Sequence, residues 1–226
     1  QEAAIAWPEE WDYKDECDPS HVGCRRVELQ QGSAEWNFVE SEWRGSPSIN
    51  GQPRGPRNVF KNKIARIERL QNPSAWTAYY SRVKRIAAKN TSNAASGGVF
   101  CKANEHWMKH GTRSMDPTKI AESDCGLDYR YCDAGYFGRA AYTADDAEYA
   151  DSYRYTLPDG KAQMFLVRVA AGNIFEVSVR TEAHRTLRTP PEGYPSIRGP
   201  VTEKHKAIMV YQTEQAYPAY LITYER

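Results

Sequence analysis

The chain has 226 residues, with 30 lysines and arginines against 29 aspartates and glutamates. This length suits one domain with a sizeable core, so we expect a single domain over residues 1–226. The near-neutral charge excludes a general electrostatic attraction to nucleic acid or to anionic membranes. No apolar run has the length of a membrane span, so we expect no membrane contact. We also expect a monomer.

The five cysteines are an odd number in a chain too large to need disulfide staples, so we expect reduced thiols. Cys17, His21 and Cys24 lie close together in the sequence, which leaves zinc or a local disulfide as minor alternatives. A structural zinc site needs four ligands, and no paired Cys-x-x-Cys follows nearby. We therefore expect no metal, and an intracellular protein of the nucleus or the cytoplasm, with secretion left open.

The start of the chain predicts a lead-in, a short strand and a helix. Residues 1–26 are expected to be irregular, because residues 8–26 are rich in proline and acidic residues. Val27 and Leu29 alternate with polar residues, as in a short strand. The next apolar residues have the spacing of an amphipathic helix, and they are Trp36, Val39 and Trp43.

A second helix is predicted from residue 73 onwards. Asn72 is expected to cap this helix, and Pro73 suits its first turn because proline has no N–H to leave unpaired there. The predicted buried stripe consists of Trp76, Tyr79 or Tyr80, Val83 and Ile86. The flanking segments, residues 44–57 and 90–99, are rich in glycine, proline or small polar residues and are predicted loops.

Residues 104–113 predict a short buried strand that ends at a site. Trp107 and Met108 are apolar and stand just before His110, and Gly111 lets a ligand approach the main chain without a Cβ in the way. Taken alone, this His-Gly pair more often marks a partly buried structural histidine at a strand end. Its functional interpretation therefore depends on the residues that follow.

The second half of the chain predicts strands with few helices between them. Asp116 begins a short helix, residues 124–138 form a long loop, and residues 145–152 are typical of a capped helical turn that presents Tyr149 and Tyr153. Strands are predicted at residues 163–169, 175–179, 206–211 and 217–224. We therefore expect an α+β fold with a largely antiparallel sheet and flanking helices. No GxGxxG motif follows a strand, which argues against a Rossmann route to a dinucleotide.

Several of these segments resemble the signatures of one family. The tripeptide that begins at His110 is similar to its His-Gly-Thr or His-Gly-Ser motif, and the glycine-punctuated run ending at Tyr142 is similar to Gly-Lys-Gly-(Ile/Thr)-Tyr-Phe-Ala. Residues 217–222 are similar to Tyr-Pro-Glu-Tyr-Leu-Ile. The family is the catalytic domain of the poly(ADP-ribose) polymerases, which are diphtheria-toxin-like ADP-ribosyltransferases. The chain is most similar to the branch that mostly attaches a single ADP-ribose, from about residue 8 to its end.

The resemblance implies the ADP-ribosyltransferase fold, with a split, largely antiparallel sheet and an NAD-binding core at residues 104–226. It implies that NAD is a co-substrate, and that ADP-ribose passes to a protein, to the chain itself or to a nucleic acid. No metal is implied. Arg113 and Arg130 are candidate contacts for the pyrophosphate of NAD, since the arginine fork suits phosphate oxygens.

Four further roles follow from the resemblance. His110 binds the adenosine ribose, and the main chain of Gly111 pairs with the nicotinamide carboxamide. Tyr142 matches the second signature residue of the family. Tyr153 matches the tyrosine that stacks on the nicotinamide ring, and Tyr155 is the alternative if the helical turn is longer.

The sequence departs from the family pattern at four positions. Ala140 replaces the second glycine, Thr143 replaces a phenylalanine, and Ala150 replaces the serine whose hydroxyl bonds the carboxamide. Ala219 stands where the family has a glutamate that bonds the nicotinamide ribose and stabilises the developing cation, which a methyl group does not do. The catalytic positions implied by the resemblance are His110, Tyr142 and Ala219.

Three interpretations of Ala219 remain open. The chain is a mono-ADP-ribosyltransferase that works without the glutamate, or it is a pseudoenzyme that binds NAD, ADP-ribose or a protein partner. In the third interpretation, alanine is an engineered, inactivating change in an active transferase. All three predict that no poly(ADP-ribose) is formed.

Overall fold

The computed structural model describes residues 5–12, 23–45, 60–90 and 97–226. Most of the predicted loop at residues 44–57 and of the predicted connection at residues 90–99 lies outside these ranges. Cys17 and His21 also lie outside these ranges, so the zinc and disulfide alternatives concern residues that the structure does not describe. Of the remaining cysteines, Cys24, Cys101, Cys125 and Cys132 are free thiols.

The described part of the chain contains twelve strands and five α-helices. The strands are β1 (Arg25–Glu28), β2 (Ile64–Gln71), β3 (Glu105–His110), β4 (Ala134–Gly135), β5 (Gly138–Arg139), β6 (Ala141–Ala144), β7 (Tyr155–Thr156), β8 (Ala162–Ala170), β9 (Ile174–Glu176), β10 (Ser196–Pro200), β11 (Lys206–Val210) and β12 (Ala216–Tyr224). The helices are α1 (Ala34–Arg44), α2 (Pro73–Lys89), α3 (Val99–Lys102), α4 (Pro117–Ala121) and α5 (Ala147–Asp151). Short 3₁₀ turns occur at Tyr129–Tyr131, Glu182–Thr186 and Thr213–Gln215.

Ten of these strands form one sheet. Its order is β1-β2-β12-β8-β3-β6-β11-β10-β9, and β7 also pairs with β8. Every strand pair in this described sheet is antiparallel except β9 with β10. The predicted α+β class with a largely antiparallel sheet is therefore confirmed. The strand order brings β3 and β12 close together, with only β8 between them.

The two predicted amphipathic helices are confirmed. In α1, the Ser33 side chain accepts a hydrogen bond from the N–H of Trp36, which satisfies a donor that the first turn leaves unpaired. In α2, Asn72 does the same for Ala75, and Pro73 is the first helical residue. All residues of both predicted apolar stripes are buried, and these are Trp36, Val39, Trp43, Trp76, Tyr79, Tyr80, Val83 and Ile86.

Other boundaries differ from the prediction. The strand predicted at residues 175–179 is β9, and it ends at Glu176, so that Val179 is 74% exposed. Strand β10 was not predicted, because Gly199 and Pro200 are unusual within strands. Gly199 is required there since a Cβ would lie 2.3 Å from the ring of Phe137.

The two faces of the sheet carry separate apolar clusters. Met164 and Leu166 of β8 belong to the cluster that includes the buried stripes of α1 and α2. Phe165 and Val167 of the same strand belong to a second cluster, which includes Ala121 of α4. Alternation along β8 places these two sets on opposite faces of the sheet. The helices therefore cover β8, the strand that lies between β3 and β12, from both sides.

No helix in the described ranges is long and apolar enough to cross a membrane. Within the same ranges, no group of three or more histidine, cysteine, aspartate or glutamate residues is placed to hold a metal ion.

Candidate active site

A cavity of about 940 Å³ opens where β3 ends, between α5 and the chain from Ser123 to Tyr136. Many of the residues singled out from the sequence line it, namely His110, Gly111, Arg113, Arg130, Ala140, Tyr142, Ala150 and Tyr153. They come from segments up to about forty residues apart in the chain, and the sheet brings them together. Ligand pockets in proteins commonly have volumes of a few hundred to about 1,000 Å³. The space is therefore adequate for a dinucleotide.

His110 is the last residue of β3, and its ring is fixed by a main-chain contact. Its Nδ1 lies 2.8 Å from the carbonyl oxygen of Tyr142. A carbonyl only accepts hydrogen bonds, so Nδ1 carries the hydrogen and Nε2 of the neutral ring is an acceptor. Burial lowers the pKa of His110 below its ordinary value, so the ring is neutral at pH 7. The site thus presents a neutral imidazole acceptor.

The main chain that follows α5 passes so close to position 111 that only glycine fits there. A Cβ on this residue would lie 2.2 Å from the carbonyl oxygen of Tyr153 and 2.9 Å from that of Ala150. The N–H of Arg113 donates to the same Tyr153 carbonyl at 2.7 Å. The end of β3 and the end of α5 are therefore in direct main-chain contact, which sets the position of Tyr153 relative to His110.

The phenol of Tyr142 is held by two main-chain groups. Its oxygen accepts a hydrogen bond from the N–H of Phe137 at 2.7 Å and donates to the carbonyl of Gly138 at 2.9 Å. Burial raises the pKa of Tyr142 to about 12, so the phenol keeps its proton at pH 7. Gly135 packs against this ring, because a Cβ there would lie 2.7 Å from the phenol. Tyr142 is therefore a fixed wall of the cavity.

Tyr153 is held through a residue that was not assigned to the site from the sequence. Its hydroxyl lies 2.9 Å from that of Tyr149, and both rings line the cavity. Tyr149 stacks on His205 with ring centroids 5.6 Å apart, and His205 Nδ1 lies 2.7 Å from Asp146, the residue that caps α5. Burial and the neighbouring Tyr153 raise the pKa of Tyr149. The i, i+4 spacing of the two tyrosines was the available signal for their contact.

The two candidate phosphate contacts are held differently. Arg130 pairs with Asp128 at 2.6 Å, and this hydrogen bond lowers the pKa of the carboxyl. The guanidinium of Arg113 instead lies over the ring of Tyr153, 4.6 Å from the ring centroid, and pairs with Asp133 at 3.4 Å. Both arginines line the cavity, as do their partners Asp128 and Asp133, so an incoming anion would compete with these carboxylates for the guanidinium groups.

Lys109 is a second cavity residue that the sequence analysis did not identify. It is fully buried, and its Nζ donates to the carbonyl oxygens of Gly45 at 3.1 Å and Asp145 at 3.2 Å. Burial lowers its pKa to about 8. Nothing in the spacing of the sequence signals this contact, because Gly45 is distant in the chain.

Two of the predicted site residues are not among the described residues that line the cavity. Tyr155 pairs with Gln163 where β7 joins β8. Ala219 lies in β12 between Pro218, which pairs with Val167, and Tyr220, which pairs with the adjacent Leu166 of β8. It is therefore the extra residue of a β-bulge, a feature that redirects side chains. Ala219 is 6% exposed and belongs to the cluster under α1 and α2.

Thr143 is fully buried beside the site. Its hydroxyl donates to the carbonyl of Ile208 at 2.9 Å, so it joins β6 to β11 rather than facing a ligand. A phenylalanine here would lose this bond.

Comparison with known proteins supplies the family. The sequence model of the poly(ADP-ribose) polymerase catalytic domain matches residues 42–208. Human protein mono-ADP-ribosyltransferase PARP14 is 28% identical over 209 residues, which is 88% of this chain and 10% of that protein. A probable poly [ADP-ribose] polymerase of Dictyostelium discoideum, DDB_G0278045, is 29% identical over 97% of this chain and 58% of its own length.

Human protein mono-ADP-ribosyltransferase PARP12 is 26% identical over 96% of this chain and 28% of its own length. The chain thus spans between about a tenth and somewhat more than half of these relatives. Because the family match covers most of the sequence and includes the whole wall of the cavity from His110 to Tyr153, the chain belongs to the poly(ADP-ribose) polymerase catalytic domain family.

Proposed function

We propose that this chain is an NAD-dependent ADP-ribosyltransferase domain that attaches single ADP-ribose units, with its NAD-binding core at residues 104–226. One observation carries the proposal: His110, Gly111, Tyr142 and Tyr153 meet in one cavity and are joined by main-chain contacts. These four residues are held in place by contacts within the protein itself. Side chains and loops that the protein already holds in place cost less entropy to order when a ligand binds.

Each cavity residue has a proposed role toward NAD. Nε2 of His110 accepts a hydrogen bond from the adenosine ribose, and the main chain of Gly111 pairs with the nicotinamide carboxamide. The nicotinamide ring stacks on Tyr153, whose face suits a flat cationic ring. Arg113 and Arg130 bind the pyrophosphate. Ala150 offers no hydroxyl to the carboxamide, so the nicotinamide is held by fewer hydrogen bonds than a serine there would allow.

The reaction breaks the bond between the nicotinamide nitrogen and its ribose. The electron pair of this bond returns to the pyridinium nitrogen, so nicotinamide leaves as a neutral molecule without a general acid. The ribose carbon becomes an oxocarbenium-like centre, and the acceptor donates an electron pair to it and then loses a proton. The preorganised group that would stabilise this centre is a carboxylate, and Ala219 provides none.

The proposal of a slow reaction that stops after one transfer rests on the residue type at position 219, because Ala219 does not line the cavity among the described residues. The family match ends at residue 208, so its assignment rests on the Tyr-Pro-x-Tyr frame formed by Tyr217, Pro218 and Tyr220. The bulge between Pro218 and Tyr220 interrupts the regular alternation of side chains along β12 at position 219. We propose a protein acceptor, either another chain or this one, and a nucleic acid is the second class of acceptor to test.

A non-catalytic function is the second candidate, and a specific observation favours it. Ala150 and Ala219 both lack side-chain groups that the family uses in catalysis, whereas the groups proposed to bind NAD are in place. A domain with this distribution would bind NAD, ADP-ribose or a protein partner without transfer. Whether alanine is native at position 219 is a separate question, which the sequence of the natural gene answers.

The test combines binding with turnover on the same folded preparation. Calorimetry measures the affinity of the chain for NAD and for benzamide. Incubation with labelled NAD measures hydrolysis, transfer to protein and transfer to nucleic acid. Binding with a single labelled unit per site supports the transferase. Binding without hydrolysis or transfer supports the second candidate. A folded protein that binds neither ligand would overturn both, and a ladder of long polymer would show that the catalytic position is wrongly assigned.

A further inference from the structure

The contact between Arg113 and Tyr153 has a consequence for which ligands the cavity accepts. The guanidinium lies 4.6 Å from the centroid of the Tyr153 ring, and both residues line the cavity. The N–H of Arg113 donates to the carbonyl oxygen of Tyr153 at 2.7 Å. The backbone of the arginine is therefore fixed beside the tyrosine, and its side chain covers part of the ring surface on which nicotinamide is proposed to stack.

The side chain of Arg113 is weakly held in this position. It forms an ion pair with Asp133 at 3.4 Å, and the two side chains are 58% and 86% exposed. Exposed ion pairs and exposed cation–π contacts each contribute little, because water competes for the charges. The guanidinium can therefore leave the ring while the backbone stays in place.

A nicotinamide ring and this guanidinium cannot use the same ring surface. In NAD the nicotinamide is a pyridinium cation, so the two groups also repel each other at short distance. A ligand that stacks on the face of Tyr153 covered by Arg113 must displace the arginine side chain and replace its cation–π contact. This requirement applies equally to free nicotinamide and to NAD.

The two ligands differ in what they offer the displaced arginine. NAD brings a pyrophosphate, whose oxygens match the planar fork of the guanidinium. Free nicotinamide brings no anion, so the displaced side chain gains only water. Building on the proposed function, we infer that Arg113 is a specificity residue that favours the intact dinucleotide over free nicotinamide. Its guanidinium lies on the ring of Tyr153 in this structure, and it would bind the pyrophosphate when NAD enters.

Arg130 provides a matched control in the same cavity. It is bound to Asp128 by contacts of 2.6 and 2.9 Å, and Asp128 also accepts from its backbone N–H at 2.9 Å. Its partner is thus a carboxylate and not the tyrosine ring. Loss of its charge should affect an anionic ligand without uncovering the stacking surface.

The experiment compares Arg113→Gln and Arg130→Gln with the parent chain by calorimetry, using benzamide as the neutral ring and NAD as the dinucleotide. Arg113→Gln should tighten benzamide binding by about two- to fivefold, the scale of one exposed cation–π contact. The same variant should weaken NAD binding by about tenfold or more, the scale of one charged hydrogen bond. Arg130→Gln should weaken NAD binding and leave benzamide binding unchanged.

The decisive result is that Arg113→Gln changes the affinities for benzamide and for NAD in opposite directions. If Arg113→Gln weakens benzamide binding, Arg113 helps to hold the ligand ring, and the inference is wrong. If benzamide binding is unchanged, Arg113 does not compete with the ligand for Tyr153, and the inference is wrong as well. If the parent chain binds neither ligand, the proposed function fails independently of this inference. Should Arg113→Gln prove unfolded by circular dichroism, Arg113→Lys takes its place. Its ammonium group stacks less closely, so benzamide should still bind more tightly than to the parent, and an unchanged affinity would overturn the inference.

Discussion

The two regions to which the sequence assigned catalytic positions are built differently, and only the first lines the cavity among the described residues. On the side of β3 and α5, His110, Gly111, Tyr142 and Tyr153 contact one another through main-chain groups. On the side of β12, the side chain of Ala219 is a buried methyl group in a bulge. We propose that the first region holds NAD, whereas the second has no carboxylate and does not line the cavity among the described residues. On this proposal, binding and charge stabilisation depend on separate strands, and one would be lost without the other.

Gly111→Ala should have the largest effect, because it breaks the binding side. The added Cβ would lie 2.2 Å from the carbonyl oxygen of Tyr153, so the end of β3 must move away from the residues after α5. We expect NAD and benzamide binding to fall below detection in calorimetry. Gly98→Ala is the matched control, since a Cβ there meets no atom within 4 Å. Retained binding in a folded Gly111→Ala protein would show that this contact does not define the site.

Tyr153→Ala should come next, because it removes the stacking surface and leaves the main-chain contacts in place. We expect benzamide binding to weaken by about 1–3 kcal/mol, the scale for loss of one stacked aromatic partner. Tyr155→Ala should weaken it less, because Tyr155 is not among the described residues that line the cavity. A larger effect at Tyr155 would make that residue the stacking tyrosine. Calorimetry of both variants under the same conditions measures the difference.

The features that the sequence predicted are those that depend on neighbouring residues in the chain. The apolar stripes of α1 and α2 depend on neighbours three or four residues away, so their spacing was sufficient to predict them. The cap at Asn72 was also predicted, whereas the cap at Ser33 was not. His110 and Gly111 were accessible as a short motif, although their roles remain predictions. The α+β class followed from the spacing of the strands in the second half of the chain.

Contacts between distant segments were not accessible in the same way. His205 stacks on Tyr149 across 56 positions of chain, and no local pattern marks that pairing. Lys109 is buried against main-chain carbonyls, which are present at every residue and carry no sequence signal. The bulge at Ala219 depends on how β12 pairs with β8, so it follows from register and not from composition.

Ala219→Glu tests the other side of the comparison. If the bulge directs position 219 toward the nicotinamide ribose, a carboxylate there should raise NAD hydrolysis or transfer by about tenfold, part of the effect of one preorganised electrostatic contact. Ala150→Ser should be measured alone and in combination, since it restores a hydroxyl toward the carboxamide. NAD binding should change little in the single glutamate variant.

The burial of Ala219 sets the control for this experiment. A glutamate in an apolar cluster is destabilising unless it reaches a polar partner, so thermal unfolding of each variant must accompany the kinetics. If the single and double variants both bind NAD, remain folded and show no gain in turnover, the non-catalytic function becomes the better interpretation.

The smallest expected effect concerns the protonation of His110. Burial lowers its pKa below the ordinary value of 6.5, so the unfolded chain takes up this proton at a higher pH than the folded chain. The contribution of His110 to stability is therefore fully present above pH 6.5 and is lost as the pH falls through the lowered pKa. His110→Gln removes this titration while retaining an acceptor and a donor in the side chain. The difference in free energy of unfolding between the parent and this variant, measured in urea, should be constant from pH 8 to pH 6.5 and should change in favour of the variant below pH 6.5. Binding of NAD by the parent should likewise persist down to pH 6.5, because Nε2 stays an acceptor while the ring is neutral. A difference in stability that does not vary with pH would show that the ring is not held neutral, and the acceptor role toward the adenosine ribose would lose its basis.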